Sequence, residues 1–324
     1  CLTYTPPLAQ LCLQEKYSGS SEKFDAMQAF QQHVNTVLRA PGSVVPPYKF
    51  SRSLRLLSGH FRLGRQEDAH EYFRCLIDSM VNSFTRRGRK SSKPTQKEIE
   101  SSFIHTVFGG KLLSEVRCTC CQYRSKTFDP ILDLNLEIYR AKTLDKALRA
   151  FTSQEILDGS NKYNCPRCKK GVRAVKQMLL SVAPNILAIQ LKRFAFGKHG
   201  MKLENMVAFP SRLDMAPYIR GGDKQGSTTY SLYAILVHSG HSLHSGHYYC
   251  YVKCPSGAWV CCDDNYVSQV SEKKVLEQRA YMLFYRKEEA VRTRSLMSPE
   301  GTPSKAKASK QQGTSRKKAM LEEA

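Results

Sequence analysis

The sequence has no apolar run long enough to cross a membrane. Its longest strongly apolar stretch, residues 230–237, has the length of a strand, whereas a transmembrane helix needs about 18 to 20 residues. The first residues also lack the basic start and the apolar core of a secretory signal. The chain begins at Cys1 rather than at methionine. We therefore expect a soluble, intracellular chain without a membrane partner, and we expect it to be a fragment or a processed form.

Acidic residues are scarce in this sequence. The chain of 324 residues has 28 acids against 50 lysines and arginines, which gives a net charge of +22. A positive charge of this size attracts nucleic acid, anionic membranes and acidic proteins alike, so it identifies no partner by itself. The hydrophobic fraction of 41% and the charged fraction of 24% are close to globular averages. This composition excludes a wholly disordered or collagen-like chain.

The composition changes at two places along the chain. Residues 85–97 are rich in arginine, lysine and small residues and contain no acid, which predicts a solvated loop between two subdomains. After residue 286 the apolar periodicity stops, and we expect residues 287–324 to form a disordered basic tail. The basic tail favours the nucleus or nucleolus and nonspecific contact with nucleic acid. The predicted folded domain is residues 1–286.

The folded part has helical patterns first and strand patterns later. Apolar residues recur every three or four positions over residues 24–38 and 66–84, as on one face of a helix. Short apolar or alternating segments predict strands at residues 131–138, 185–196, 230–237, 247–253 and 259–263. Helices followed by strands, with little strict alternation, predict an α+β fold.

Four of the 12 cysteines form two Cys-x-x-Cys pairs. Cys118 with Cys121 and Cys165 with Cys168 can supply the four thiolates of a closed, structural zinc site. The intervening residues 122–164 are too many for a compact zinc ribbon, so a subdomain must leave and return between the two pairs. The alternative is four unrelated buried cysteines.

A histidine and two aspartates flank a predicted hairpin. The turn residues 255–257 separate two short strands, and folding about this turn places His247 opposite Asp263 or Asp264. A carboxylate that orients an imidazole is the base half of a nucleophilic triad. The alternative is an ordinary exposed hairpin capped by a histidine. We expect the nearby histidines to lie in loops, namely His238, His241 and His244.

Together these segments resemble the ubiquitin-specific proteases, a papain-like family of cysteine peptidases. The resemblance rests on five motifs in the family's order, which are residues 66–72 (Gln-Glu-Asp-Ala-His-Glu-Tyr), the two cysteine pairs, residues 191–194 (Leu-Lys-Arg-Phe), residues 246–252 (Gly-His-Tyr-Tyr-Cys-Tyr-Val) with the acid pair, and residues 280–285 (Ala-Tyr-Met-Leu-Phe-Tyr). They cover nearly the whole folded part of the chain.

The resemblance implies a thumb, palm and fingers architecture with one structural zinc ion in the fingers and no catalytic cofactor. It implies His247 as general base, Asp263 as the residue that orients it, and Asp264 as a second polar group near the oxyanion. The implied partners are ubiquitin and ubiquitinated proteins. The residues implied for binding the ubiquitin tail are Gln66, Asp68, Glu71, Phe194 and Tyr248.

The sequence departs from the family pattern at its start. Cys1-Leu2 corresponds to a Gln-Cys-Leu segment about two helical turns after the family's Asn-x-Cys nucleophile box, so we expect the nucleophile upstream of residue 1 and this chain alone to be inactive. Residues 18–30 also lack the Cys/His-rich stretch of close relatives. A second metal site is therefore not expected there.

Two other functions compete with a thiol-dependent deubiquitinase. One is an inactive ubiquitin-binding pseudoenzyme whose nucleophile was never encoded. The other is a zinc-ribbon nucleic-acid binder, which the charge and the cysteine pairs suggest. The sequence lacks the stacked aromatic residues and the base-reading motif of such a binder, so we place nucleic-acid contact in the tail.

Overall fold

The computed structural model describes residues 1–19, 24–40, 44–85, 94–194, 202–222, 226–242 and 245–289. The chain divides into two compact units, Cys1–Ala290 and Val291–Ala324, and the second lies outside the described residues, as do the predicted loop residues 86–93 and His244. The described fold extends slightly beyond residue 286, the predicted end of the folded domain. The last strand runs to Lys287, and Glu288 pairs with Arg212 at 2.7 Å.

The helices occupy mainly the first third of the chain. Asp25 caps the second of them, since its side chain accepts a hydrogen bond from the Gln28 backbone N–H at 2.9 Å. The helices are α1 Pro6–Leu13, α2 Ala26–Arg39, α3 Tyr48–Arg52, α4 Leu54–Leu57, α5 Ala69–Thr85, α6 Gln96–Ser101, α7 Phe103–Phe108, α8 Leu144–Thr152 and α9 Glu272–Leu276. Within the described ranges, none of them is long and apolar enough to cross a membrane. We call α1–α7 the thumb.

The strands fill the rest of the described chain. They are β1 Gly110–Cys118, β2 Arg124–Ile131, β3 Leu134–Glu137, β4 Glu155–Leu157, β5 Tyr163–Cys165, β6 Lys170–Val172, β7 Ala174–Val182, β8 Ile186–Lys192, β9 Arg212–Asp214, β10 Thr229–Ser242, β11 Ser245–Lys253, β12 Trp259–Asp263, β13 Tyr266–Val270 and β14 Ala280–Lys287. The two predicted helices and five predicted strands are all present, with shifted ends.

An eight-stranded sheet, the palm, forms the centre of the molecule. Its order is β13-β12-β11-β10-β14-β8-β3, with β9 paired to β10. Both faces are buried, because alternate residues of β14 enter different cores: Leu283 and Tyr285 on one side, Met282 and Phe284 on the other. The thumb helices pack on the second side. By the strand order, β11 to β13 lie at one edge of this sheet.

A four-stranded sheet, β2-β1-β7-β4, and the short ribbon β5-β6 form the fingers. Strand β1 pairs with β7 from Lys111↔Val182 to Cys118↔Ala174. The segment between the two cysteine pairs includes β3 and α8, which pack into the palm core. The predicted excursion of a subdomain between the pairs is present. Because nearly all strand pairs are antiparallel and helices cluster on one side, the observed fold is the predicted α+β class.

Candidate active site

The predicted hairpin places His247 beside Asp263. Strands β11 and β12 pair in the register Cys250↔Cys262 and Lys253↔Trp259, which is the register that a turn at residue 256 dictates. At the open end of this hairpin, His247 Nε2 is hydrogen-bonded to Asp263 Oδ1. Trp259 fixes the other end, because its indole N–H donates to Glu272 at 3.1 Å. The packed sheet thus supplies the alignment of the pair.

The contact with Asp263 polarises the imidazole. This hydrogen bond raises the pKa of His247 above its ordinary value, since a nearby carboxylate favours the protonated ring. With Nε2–H donating to Asp263, the neutral ring keeps its lone pair on Nδ1, and Nδ1 is the atom that can accept a proton. The two side chains are 46% and 41% exposed. The ring is therefore accessible to a substrate.

Asp264 lies next to this pair with an unusual backbone. Its φ is +50°, in the left-handed region that aspartate tolerates better than most residues. Its carboxylate, the His247 ring nitrogens and the Asp263 carboxylate have atoms within 4.8 Å of one another, and its charge also raises the pKa of His247. Asp264 therefore influences the charge of the His247 ring through space, whereas Asp263 is its hydrogen-bond partner.

Gln66, just ahead of α5, joins the thumb to β11, the strand that carries His247. Its side-chain amide donates to Gly246 O at 2.7 Å, and its carbonyl accepts from Gly246 N–H at 2.8 Å. A side chain at position 246 would place its Cβ 2.2 Å from His238 Nε2 and 2.6 Å from Ser239 O. Glycine is therefore required for this close packing. The two hydrogen bonds fix the residue before His247.

The start of α5 supplies two predicted carboxylates. Asp68 accepts from the Glu71 backbone N–H at 2.8 Å and from the Tyr281 hydroxyl at 2.5 Å. The Glu71 carboxylate contacts His60 Nε2 at 2.7 Å and lies at the surface. Asp68 is thus held by its own helix and by the palm, whereas Glu71 faces outward. The first turn of α5 starts at Ala69, three residues later than the pattern of residues 66–84 predicts.

Phe194 and Tyr248 meet in an aromatic cluster beside Asp68. The Phe194 ring lies 5.4 Å from Tyr281 and 5.3 Å from His238, and the Tyr248 ring lies 4.7 Å from His238. Edge and tilted contacts of this kind stabilise ring pairs. The Tyr248 hydroxyl also accepts from the Ala69 N–H at 3.4 Å. Four of the five residues predicted to bind the ubiquitin tail, Gln66, Asp68, Phe194 and Tyr248, therefore lie at one thumb–palm junction, whereas Glu71 lies at the surface beside His60.

The prediction that His238 lies in a loop is wrong. His238 belongs to β10, pairs with Tyr248 and is 3% exposed. His241 also lies within β10. Burial lowers the pKa of His238, which favours the neutral ring. The apolar alternation of residues 230–237 continues for one more position than the pattern suggested, and that continuation was the missed signal.

Arg193 is a structural residue that the sequence motif alone does not explain. It is 1% exposed, and its guanidinium donates to the carbonyls of Ala280, Leu203 and Asn205 at 2.6, 2.9 and 3.0 Å. Burial lowers its pKa to about 10. These hydrogen bonds tie β8, the segment after residue 201 and the start of β14 together. They hold Phe194 and Tyr281 near each other.

The four predicted cysteines converge at the tip of the fingers. The Cys118–Cys168 and Cys121–Cys165 sulfur pairs lie 3.9 and 3.6 Å apart, and all four sulfurs lie within 4.8 Å of one another. Four thiolates about 2.3 Å from a tetrahedral zinc ion are about 3.8 Å apart. The cluster therefore fits zinc. The spare Cys120 is exposed and outside the cluster.

Comparison with known proteins decides the family. The family described as "Ubiquitin carboxyl-terminal hydrolase" matches residues 1–285. The chain belongs to the ubiquitin carboxyl-terminal hydrolase family. Ubiquitin carboxyl-terminal hydrolase 23 of Arabidopsis thaliana is 44% identical over 289 residues, which are 88% of this chain and 33% of that protein. The human ubiquitin carboxyl-terminal hydrolase 42 is 40% identical over 88% of this chain and 21% of its own length.

Solved structures show the same hydrolase fold. A SAGA DUB module containing Ubp8 and bound to monoubiquitin matches with a TM-score of 0.76 and 27% identity, over 90% of this chain and 65% of that one. A module with ubiquitin aldehyde matches with a TM-score of 0.75 and 27% identity, over 90% of this chain and 66% of that one. The predicted family and fold are confirmed. The chain spans a third or less of the length of the two curated relatives described above, and about two thirds of the solved chains.

Proposed function

We propose that this hydrolase is a deubiquitinase, which cleaves peptide and isopeptide bonds at the C-terminal glycine of ubiquitin by means of a cysteine thiolate. The hydrogen bond between His247 and Asp263 at the thumb–palm junction carries the proposal. A base oriented by a carboxylate is what activation of a thiol requires. Structural neighbours bound to ubiquitin or to ubiquitin aldehyde support ubiquitin as the partner.

The chemistry follows from the orientation of the imidazole. His247 Nδ1 takes the thiol proton, and the thiolate attacks the glycine carbonyl carbon. When the C–N bond breaks, protonated His247 returns the proton to the leaving amine, and a thioester remains. Water, deprotonated by His247, then hydrolyses the thioester and regenerates the thiol. Asp263 stabilises the imidazolium in both steps, and Asp264 adds negative charge beside that ring and lies near the oxyanion.

The thumb–palm junction supplies a site for the basic tail of ubiquitin. The Asp68 and Glu71 carboxylates can pair with arginines of the tail, and such charge-assisted contacts are stronger than neutral ones. Phe194 and Tyr248 form apolar walls beside Asp68, and Gln66 holds the backbone next to His247. These five residues would orient the terminal glycine toward the imidazole.

We place the nucleophile ahead of Cys1. In the part of the chain that the structure describes, which includes all twelve cysteines, the hydrogen-bond partner of His247 is Asp263 and no thiol bonds to the ring. The Cys1 thiol instead lies 3.7 Å from Ile235 O, within the thumb-side core. In the family pattern the nucleophile precedes this position by about two helical turns.

We assign the four-cysteine cluster a structural zinc ion. Cys118, Cys121, Cys165 and Cys168 would fill all four positions of a tetrahedral ion, which leaves none for water or substrate. The ion would hold the tip of the fingers together. Catalysis would not pass through it.

The test is hydrolysis of a fluorogenic ubiquitin amide by the protein expressed from its own gene, with any coding sequence upstream of Cys1 retained. We expect turnover, and we expect His247→Ala to reduce kcat by roughly 10,000-fold or more. His33→Ala, on α2, is the matched control and should change kcat little. Full activity of the His247 variant would contradict the proposal. Ubiquitin binding without cleavage by the unaltered protein would indicate the pseudoenzyme instead.

A further inference from the structure

The hairpin of strands β11 and β12, which carries His247 and Asp263 and which we call the catalytic hairpin, is rich in cysteine. Four of the 12 cysteines lie on it or in its turn, namely Cys250, Cys254, Cys261 and Cys262. None of them belongs to the zinc-binding group, and all are reduced thiols. The proposed hydrolysis uses none of them.

Cys250 and Cys262 lie directly opposite each other. They are paired residues of the antiparallel strands β11 and β12. Side chains of paired residues stand on the same face of a sheet, with Cβ atoms about 4.5 to 5.5 Å apart. The Cα separation in such pairs, about 4.5 to 5.5 Å, lies within the range found for disulfides, and closing the bond would bring the two Cβ atoms to about 3.5 to 4.5 Å.

The packing of the hairpin separates this pair from its neighbours. Cys250 and Cys262 both pack against the thumb-side core, whereas Cys261 packs against the opposite core. Cys254 follows the end of β11, where its N–H donates to Ala258 O in the turn. A hydrogen bond between the two thiols lowers the pKa of Cys250 and raises that of Cys262. Cys250 is therefore the thiol that more readily becomes a nucleophilic thiolate.

We propose that Cys250 and Cys262 form a cross-strand disulfide when the protein meets a disulfide oxidant such as glutathione disulfide. The Cys250 thiolate attacks one sulfur of the oxidant, a mixed disulfide forms and one glutathione thiolate leaves. The Cys262 thiolate then attacks the Cys250 sulfur and expels the second glutathione. The two protein thiols lose two electrons and two protons, and one glutathione disulfide becomes two glutathiones.

The disulfide would brace the strand ends that carry the catalytic pair. Cys262 is the residue before Asp263, and Cys250 lies three residues after His247. A covalent link here removes conformational freedom from the unfolded hairpin and so stabilises the folded one. This inference does not depend on the proposed function, because the link is detected without any measurement of hydrolysis.

The link is tested by peptide mapping of the chain of residues 1–324. The protein is incubated with glutathione disulfide in the presence of zinc ions, its free thiols are alkylated, and it is digested with trypsin without reduction. Cleavage after Lys224, Lys253 and Lys273 separates residues 225–253, which contain Cys250 alone, from residues 254–273, which contain the other three thiols. Mass spectrometry should find these two peptides linked. Recovery of Cys250 only as an alkylated thiol or a glutathione adduct would overturn the proposal.

Serine variants identify the partner of Cys250. Cys261→Ser and Cys254→Ser should retain the link, and Cys262→Ser should lose it. Loss of the link in Cys261→Ser with retention in Cys262→Ser would show that the pairing is wrong. The oxidised wild type should unfold roughly 5 °C above its reduced form, and Cys262→Ser should lack this rise. An unchanged unfolding temperature in a linked wild type would overturn the bracing role.

Discussion

The fingertip cluster of four cysteines and the β11–β12 hairpin bring distant side chains together in different ways. The fingertip unites two cysteine pairs that are 44 to 50 positions apart in the chain, and its buried core is small: Cys118, Cys165 and Val172. The hairpin unites His247 and Asp263, which are 16 positions apart, on strands whose two faces pack against large cores. Sulfur atoms converge in the first, and a packed sheet provides the alignment in the second.

We expect this difference to separate the residues that stabilise the fold from the residues that carry out the chemistry. A small apolar core contributes little to folding, so the proposed zinc ion would have to replace it. The hairpin already has its core, so its exposed polar residues can be selected for reactivity. We therefore expect changes at the fingertip to alter folding and changes at the hairpin to alter catalysis.

The largest expected effect comes from removing a thiol of the cluster. Cys165→Ser should abolish zinc binding and increase amide hydrogen exchange in β5, β6 and the adjoining ends of β1 and β7, because structural zinc contributes about 10 kcal/mol or more to folding of small metal domains. Exchange in β10 and β14 should stay slow. Zinc content and hydrogen exchange measure both effects.

Cys120→Ser is the matched control, because Cys120 lies in the same turn but is exposed and outside the cluster. It should keep one zinc ion per chain. Equal zinc loss from both variants would show that the four predicted sulfurs are not the ligands.

The next effect concerns the carboxylate that orients the imidazole. In the protein that carries its nucleophile, Asp263→Asn should lower kcat by roughly 1,000- to 10,000-fold, because an amide stabilises the imidazolium poorly. The unfolding temperature should change little, since the side chain is exposed. Asp264→Asn makes the same chemical change one residue later and should cost far less activity. Equal losses would contradict the assignment of Asp263 as the orienting group.

A smaller effect is expected from the two hydrogen bonds between Gln66 and Gly246, which we call the thumb–palm clamp. Gln66→Glu keeps the oxygen that accepts from Gly246 N–H but removes the amide that donates to Gly246 O. We expect kcat/KM to fall by about 10-fold, since one lost hydrogen bond in a junction of this kind costs about 1 to 2 kcal/mol.

Gln96→Glu changes the same group on the exposed surface of α6, where the amide contacts Glu100, and should leave kcat/KM unchanged. A similar loss of kcat/KM in both variants would show that the hydrogen bonds between Gln66 and Gly246 do not contribute to activity.

The smallest effect is a shift in titration. The Asp263 hydrogen bond raises the pKa of His247, whereas burial lowers that of His238 on the neighbouring strand. NMR titration should therefore show His247 protonated at a higher pH than His238, and Asp263→Asn should lower the pKa of His247 alone. Since its pKa is raised on folding, His247 stabilises the fold fully below its ordinary pKa and loses this contribution as pH rises through the higher folded value. An unchanged pKa of His247 in the Asp263 variant would contradict this account.

Local sequence was sufficient for features that depend on spacing. The two Cys-x-x-Cys pairs define their own turns, and the turn at residues 255–257 sets the Cys250↔Cys262 register, which leaves His247 within reach of Asp263 at the open end of the hairpin, although not directly opposite it. The turn dictates which residues face each other, so no knowledge of the remaining fold was needed. The helix of residues 24–38 and the strands were predicted for the same reason.

Contacts between distant segments were not predictable in this way. His238 is predicted to lie in a loop because it stands ahead of the predicted paired strand, yet it belongs to β10 and packs against the aromatic rings of Phe194 and Tyr248. The buried Arg193 is stabilised by three carbonyls from other segments. The buried environment of Arg193 has no local sequence signal.

By itself the sequence determined the motifs, their order, the α+β class and the residues that could meet across one hairpin. Only the tertiary structure decided that Gln66 clamps Gly246, that Asp68 bonds to Tyr281, and that Cys250 and Cys262 share a face apart from Cys261. The reason is physical: periodicity and turns act over a few residues, whereas hydrogen-bond partners and sheet faces depend on how distant segments pack together.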